Sequence, residues 1–157
     1  MNQLPNPVLL VVDSDALTLT ATAATLHSLG YEVHCAQDRM AAVQAAKTLA
    51  LDLIICDVNV GHDDGMSICE DIRNLPDRND VPVMFISSCQ MPAVASRSFQ
   101  NGSAFFLKKP FAPQLLIDLV DKALWMPHLV KSHVHKPHIP LGAFANNAMP
   151  RSQSVEQ

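Results

Sequence analysis

The chain has 157 residues, 48% of them hydrophobic, with a formal net charge of −4 and a pI near 5.9. This length allows one domain of ordinary size with its own core, followed by a tail. The acidic balance argues against a nucleic-acid-binding surface, and no run of about 18 apolar residues predicts a membrane span.

Five short apolar runs alternate with stretches that favour helices. The runs are 8–13, 31–36, 51–57, 81–87 and 104–108. Three of them are nearly continuous in Val, Leu, Ile or Phe, which is typical of strands buried on both faces. Five helices are predicted between and after these runs. Their ranges are 16–29, 39–50, 66–74, 92–101 and 113 to about 125, and Asp38 can cap the second of them.

Strand and helix alternating five times predict an α/β fold, a doubly wound five-stranded parallel sheet with helices on both faces. From residue 126 the composition shifts to Pro, His, Asn and Ser without a clean period. We therefore expect a domain over residues 1–125 and a disordered C-terminal tail over 126–157.

The four cysteines, Cys35, Cys56, Cys69 and Cys89, match neither a CxxC pair nor a zinc-site spacing. We expect reduced, mostly buried thiols, as is typical of a cytoplasmic protein. The N-terminus carries no basic segment ahead of its apolar run, which argues against a secretory signal.

Polar residues end four of the predicted strands. Ligands of doubly wound sheets bind outside the carboxyl ends of the strands, so these ends mark the candidate site. Asp13 and Asp57 bring two carboxylates together on adjacent strands, while Ser87 and Lys109 approach from the other side. Paired carboxylates need a cation, and Mg²⁺ prefers hard oxygen ligands and bridges to phosphate oxygens. A carboxylate with these neighbours can act as a nucleophile toward phosphorus.

The segments VLLVVDSD, IICDVNVGHDDG, VPVMFISS and FFLKKPF resemble the receiver domain of two-component response regulators in order and spacing. The resemblance covers roughly residues 6–125 and implies a flavodoxin-like strand order, 2-1-3-4-5. It implies that Asp57 is the phosphoacceptor. It also implies that Mg²⁺ is held by Asp13, Asp57 and the backbone carbonyl of Asn59.

The resemblance assigns roles to further residues. Ser87 corresponds to the hydroxyl residue that moves toward the phosphate, and Lys109 to the lysine that pairs with it. Ser87 and Phe106 correspond to the family's switch pair. The Lys109–Pro110 bond corresponds to the family's cis peptide, and Asp64-Gly65 to the turn that opens the third helix.

One departure concerns the metal. The family usually carries two adjacent acids after the first strand, but here Asp13 is followed by Ser14. A neutral serine is a poorer ligand for a hard cation, so Mg²⁺ is expected to bind weakly. Asp15 follows, and we favour its capping the first helix over its rescuing the metal site.

A second departure lies in the loop after the phosphoacceptor. Gly61 stands where the family usually has proline, which is expected to loosen the backbone. His62 and Asp63 in the same loop are expected to be solvated side chains.

The resemblance implies a signalling module and not an enzyme. The chain would receive a phosphoryl group from a histidine kinase or a histidine phosphotransfer protein. Because no output domain follows in the sequence, the readout is expected to be contact with a separate output protein, without a membrane or nucleic acid. The chain would act as a monomer or as a phosphorylation-linked dimer.

Two other functions stay open. A degenerate receiver would bind its partner without phosphorylation, which the missing acid at Ser14 favours. A phosphatase of the DxD type would use Asp13 as its nucleophile. However, Ala16 stands where glycine is expected in that motif, and this reading leaves Asp57 without a role.

Overall fold

The computed structural model describes residues 5–88 and 105–134, with side chains described through residue 125. The elements, in chain order, are β1 (Val8–Val12), α1 (Ala16–His27), β2 (Glu32–Ala36), α2 (Arg39–Thr48), β3 (Leu53–Asp57), β4 (Asn59–Val60), β5 (Asp63–Asp64), α3 (Gly65–Arg73), β6 (Val83–Ser87), β7 (Phe105–Lys108) and α4 (Pro113–Val134).

A five-stranded sheet with the order β2-β1-β3-β6-β7 forms the centre of the fold. Every neighbouring pair in it is parallel. With the two short strands β4 and β5 set aside, this is the 2-1-3-4-5 order, so the predicted fold class is confirmed. The order places the ends of β1, β3, β6 and β7 next to one another along one edge.

The two faces of the sheet carry separate apolar layers, because successive side chains of a strand point to opposite faces. Leu10 and Ile54 lie in one layer, which α2 and α3 cover. Leu9 and Ile55 lie in the other, which α1 and α4 cover. Since β3 is buried along its whole length, the strand that ends in Asp57 is anchored from both sides.

Several predicted boundaries differ from the observed ones. The last helix continues past Trp125 to Val134, into the segment predicted as tail. Pro127 lacks an N–H, so it removes one helical hydrogen bond, but it does not end the helix. The predicted helix over 92–101 and the rest of the predicted tail, 135–157, lie outside the described residues.

The cysteines follow the prediction only in part. Cys56 and Cys69 are buried, whereas Cys35 is exposed on the edge strand β2, and Cys89 lies outside the described residues. In the described part of the chain, no helix is both long and apolar enough to cross a bilayer.

Candidate functional site

Two carboxylates meet where β1 and β3 end. Asp13 directly follows β1 and Asp57 is the last residue of β3, and these strands are neighbours in the sheet. Both side chains are almost completely buried, with 4% and 9% of the residue surface exposed. Two carboxylates held this far from water repel each other and require a cation between them.

Lys109, just after β7, supplies a positive charge to both acids. Its Nζ donates a hydrogen bond to Asp13 Oδ2 at 2.7 Å and another to Asp57 Oδ2 at 2.5 Å. Partial burial alone would lower the pKa of Lys109, but the hydrogen bonds to the two carboxylates raise it above its ordinary value. One ammonium neutralises one of the two carboxylates, so the site keeps a net negative charge.

Backbone N–H groups hold the other oxygen of each carboxylate. The N–H of Asp15 donates to Asp13 Oδ1, and the N–H of Asn59 donates to Asp57 Oδ1, each at 2.9 Å. Each carboxylate is therefore fixed by one backbone donor and by Lys109. This arrangement orients both acids before any ligand arrives.

The donor set at this edge fits a magnesium ion. Mg²⁺ is usually bound through one or two carboxylates and keeps several of its waters, and Asp13 and Asp57 supply two carboxylates. Among the residues whose side chains the structure describes, 5–88 and 105–125, there is no group of three His, Cys, Asp or Glu that could hold a metal. Ser14 is exposed and brings no charge.

Asp15 caps α1. Its Oδ1 accepts from the backbone N–H of Leu17 at 3.2 Å, and its Oδ2 accepts from the hydroxyl of Thr18 at 2.6 Å. These hydrogen bonds, that from Thr18 foremost, lower the pKa of Asp15. Because both oxygens are engaged in the first turn of α1, the structure has Asp15 in the capping role.

The loop after Asp57 forms a small hairpin. β4 pairs antiparallel with β5, with Asn59 opposite Asp64 and Val60 opposite Asp63. Gly61 begins the two-residue turn at a φ of 63°, a value that the ring of proline excludes. A positive φ at the first turn residue alone is the pattern of a type II′ hairpin turn, which favours glycine there. The glycine therefore permits a turn that proline could not adopt, and the expectation that it loosens the loop stays a prediction.

Gly65, the first residue of α3, touches the backbone of the candidate phosphoacceptor. A Cβ built at Gly65 would lie 1.8 Å from the carbonyl oxygen of Asp57, well inside contact distance. Asp64 caps α3 by accepting from the N–H of Met66 at 2.9 Å. The Asp64-Gly65 pair thus starts the helix and lets it lie directly against the end of β3.

Cys56 lies on the opposite face of β3 from Asp57. Its Sγ donates to the carbonyl of Asp57 at 3.2 Å, within the apolar layer beneath α3. The neighbouring side chain of Cys69, together with burial, raises the pKa of the Cys56 thiol. Both features agree with the expectation that Cys56 is a core residue.

Ser87 and Phe106 lie on the two strands beyond β3. Ser87 ends β6 and is fully buried, and its carbonyl accepts from the N–H of Lys109 at 2.9 Å. Phe106 in β7 is half-buried against the layer that α2 and α3 cover. The Lys109–Pro110 peptide bond is cis. The residues between Ser88 and Phe105 are outside the described part of the chain.

Arg39, at the start of α2, was missed at the level of the sequence. Its Nε donates to Asp63 Oδ1 at 3.5 Å, its Nη2 donates to the hydroxyl of Ser67 at 3.1 Å, and its Nη1 donates to the Asp71 carboxylate. Asp63 therefore has an ion-pair partner that was not expected, while 43% of its side chain is exposed to solvent. No local sequence motif predicts these contacts, because the partners of Arg39 lie 24 to 32 positions away along the chain.

A mostly apolar groove of about 430 Å³ opens beside Lys109, between α1 and the start of α4. Leu17, Ala21, Pro110 and Phe111 contribute to its walls. Leu17 is 80% exposed.

Comparison with known proteins gives a consistent result. Residues 9–121 match the family model for the response regulator receiver domain. The chain is 27% identical over 128 residues to the probable transcriptional regulator ycf29 of Porphyra purpurea, which covers 82% of this chain and 61% of that protein. It is 32% identical over 109 residues to the sensory transduction protein BceR of Bacillus subtilis. That match covers 69% of this chain and 46% of BceR. The chain thus spans less than two thirds of the length of these relatives. The crystal structure of chemotaxis protein CheY4 of Vibrio cholerae is similar with a TM-score of 0.72 and 25% identity, covering 75% of this chain and 98% of that chain.

Proposed function

Because the chain belongs to the response-regulator receiver family, we propose that it accepts a phosphoryl group on the side chain of Asp57. Phosphorylation of an aspartate is general in this family. The observation that carries the proposal is the contact of one lysine with two buried carboxylates: Lys109 Nζ lies 2.5 Å from Asp57 Oδ2 and 2.7 Å from Asp13 Oδ2. Such a site combines a fixed nucleophile with a cation that can follow the incoming negative charge.

The chemistry is a transfer from nitrogen to oxygen. A carboxylate oxygen of Asp57 forms a bond to phosphorus as the bond from phosphorus to the donor histidine nitrogen breaks, and that nitrogen keeps the electron pair. Lys109 then pairs with a phosphoryl oxygen in place of the Asp57 oxygen. Asn59 holds the carboxylate in place through its backbone N–H.

Receiver domains of this family generally use Mg²⁺. In this chain Asp13, Asp57 and the backbone carbonyl of Asn59 are the residues proposed to hold the ion, which would neutralise the phosphoryl oxygens when bound. Ser14 contributes no charge, and the carboxylate of Asp15 is engaged by α1. We therefore propose that the site binds Mg²⁺ more weakly than one with two adjacent acids.

The signal is proposed to leave the site through Ser87 and Phe106. Ser87 is buried at the end of β6, from where its hydroxyl would move toward the phosphoryl group, and Phe106 on β7 would change its packing in response. Phe106 is only half-buried, so its ring has room to exchange one position for another. The readout would be contact with an output protein that prefers the phosphorylated conformer.

The donor is proposed to be a histidine kinase or a histidine phosphotransfer protein. We place its contact at the groove beside Lys109, because that groove is apolar and ends at the lysine that touches Asp57. The exposed Leu17 on α1 would be covered when the donor docks.

The test is intact-protein mass after exposure to acetyl phosphate with Mg²⁺, followed by mapping of the modified residue. We expect the mass of one added phosphoryl group in the wild type and none in Asp57→Asn, with Asp118→Asn, an exposed aspartate on α4, as the matched control. Modification of Asp13 instead would support the DxD phosphatase. No modification of the wild type, together with partner binding that Asp57→Asn leaves unchanged, would support the degenerate receiver.

A further inference from the structure

One arginine side chain ties together three elements around the site. Arg39 is the first residue of α2, and it donates to Asp63 in β5 and to Ser67 and Asp71 in α3. Each of its three side-chain nitrogens donates a hydrogen bond to a different acceptor. About a third of the side chain is exposed, so these ion pairs lie at the rim of the domain and not in its core.

The contact with Asp63 reaches the candidate phosphoacceptor through the hairpin. Asp63 pairs with Val60, and the neighbouring Asp64 pairs with Asn59. The N–H of Asn59 in turn donates to Asp57 Oδ1. Because a two-residue turn fixes the register of a hairpin, the position of Asp63 determines where the backbone of Asn59 lies.

The strand pairing of the hairpin is short, and Val60 anchors it in the apolar layer that α2 and α3 cover. It consists of two residue pairs and a glycine turn, and an isolated pair of strands is marginal in water. We infer that Arg39 is a positioning residue that holds Asn59 in register with Asp57 and thereby strengthens Mg²⁺ binding at the site. This inference rests on the proposed function, since the carbonyl of Asn59 is a proposed ligand of the ion.

The shape of the guanidinium group allows the positioning effect of Arg39 to be distinguished from the effect of its positive charge. The planar guanidinium reaches its three acceptors with three separate nitrogens, whereas all donors of a lysine ammonium sit on one atom. Arg39→Lys therefore keeps the charge and loses the geometry.

The sign of the effect separates positioning from simple electrostatics. Removing a positive charge near a cation site should tighten binding of Mg²⁺, because repulsion falls. Loss of positioning should weaken binding instead. Arg39→Gln thus gives opposite results under the two explanations.

The experiment measures the dissociation constant for Mg²⁺ by calorimetry on the full chain. We expect both Arg39→Lys and Arg39→Gln to raise it about two- to fivefold, the range typical of a partly exposed ion pair. Lys47→Gln removes the same charge from the exposed far end of α2 and is expected not to raise it. Asp71→Asn leaves the Arg39–Asp63 contact in place, so it is expected to lower the melting temperature without changing the affinity.

A second measurement does not depend on the metal. Hydrogen exchange at the amides of Asn59 and Gly65 should be faster in Arg39→Lys than in wild type and unchanged in Lys47→Gln. Unchanged affinity or tighter binding in the two Arg39 variants would overturn the inference, whatever the exchange rates. If the wild type binds no Mg²⁺ and takes up no phosphoryl group, the proposed function is wrong, and the exchange rates alone then decide whether Arg39 holds the hairpin.

Discussion

Ser14 separates two acids that the structure uses for different purposes. The carboxylate of Asp13 faces Lys109 and Asp57, and the carboxylate of Asp15 caps α1. Ser14 itself is exposed and carries no charge. Replacing it by aspartate would add a third carboxylate next to Asp13, and we expect Ser14→Asp to tighten Mg²⁺ binding.

The size of the effect follows from the exposure of this position. In water, unit charges about 4 Å apart interact by about 1 kcal/mol, which doubles to about 2 kcal/mol for a divalent ion. That corresponds to an affinity gain of about 30-fold, and screening by salt reduces it toward about tenfold. The solvent value is the appropriate one because the new carboxylate would stand at the surface.

The assay is the rate of phosphorylation by acetyl phosphate over a range of Mg²⁺ concentrations. The wild type should need about ten times more Mg²⁺ than Ser14→Asp to reach half of its maximal rate. Ser14→Asn is the control, because asparagine has the size of aspartate without its charge. This variant should behave as wild type.

Two results would refute this reasoning. One is a wild type that reaches half-maximal rate at the same Mg²⁺ concentration as Ser14→Asp. The other is an equal gain in Ser14→Asn, which would show that side-chain size and not charge limits the site.

Two further predictions concern stability. Burial and the hydrogen bond to Asp121 raise the pKa of Tyr31 to about 12, so the stability that this contact contributes is complete below the ordinary value near 10 and is lost as pH rises through about 12. The chain has one tyrosine, so absorbance reports its ionisation directly; Asp121→Asn should lower the midpoint, and a wild-type midpoint near 10 contradicts the prediction. Gly65→Ala places a methyl group against the Asp57 carbonyl and should lower the free energy of unfolding by about 1–3 kcal/mol in denaturant titrations. Gly61→Ala, which meets no neighbour but keeps a positive φ, is the control; an equal loss in both variants would show that the close approach does not matter.

The sheet and the position of its polar edge were predictable from the sequence. Parallel strands buried on both faces leave a continuous apolar pattern, and their carboxyl ends must meet at one edge. The sequence alone therefore groups Asp13, Asp57 and Lys109. The capping of α2 by Asp38 follows from an equally local signal, and its carboxylate accepts from the N–H of Ala41 at 2.8 Å.

The hairpin and its tie to α2 could not be predicted in the same way. The effect of Gly61 depends on the sign of φ, and a glycine adopts both signs, so the sequence is consistent with either a loose loop or an ordered turn. The pairing of Arg39 with Asp63 depends on how α2 lies against the loop, which no local pattern encodes. The continuation of α4 past Pro127 likewise depends on the helical bonds on either side of it.

The lysine shared by two acids links folding to ligand binding. Asp13 and Asp57 are buried with more negative charge than Lys109 neutralises, so this edge of the sheet is electrostatically unfavourable unless a further cation binds. Any cation that binds there relieves this repulsion only in the folded chain, and by mass action it raises the melting temperature. The melting temperature of the domain therefore reports how much of the site is occupied by a cation, and it can be measured without a partner protein or a phosphodonor.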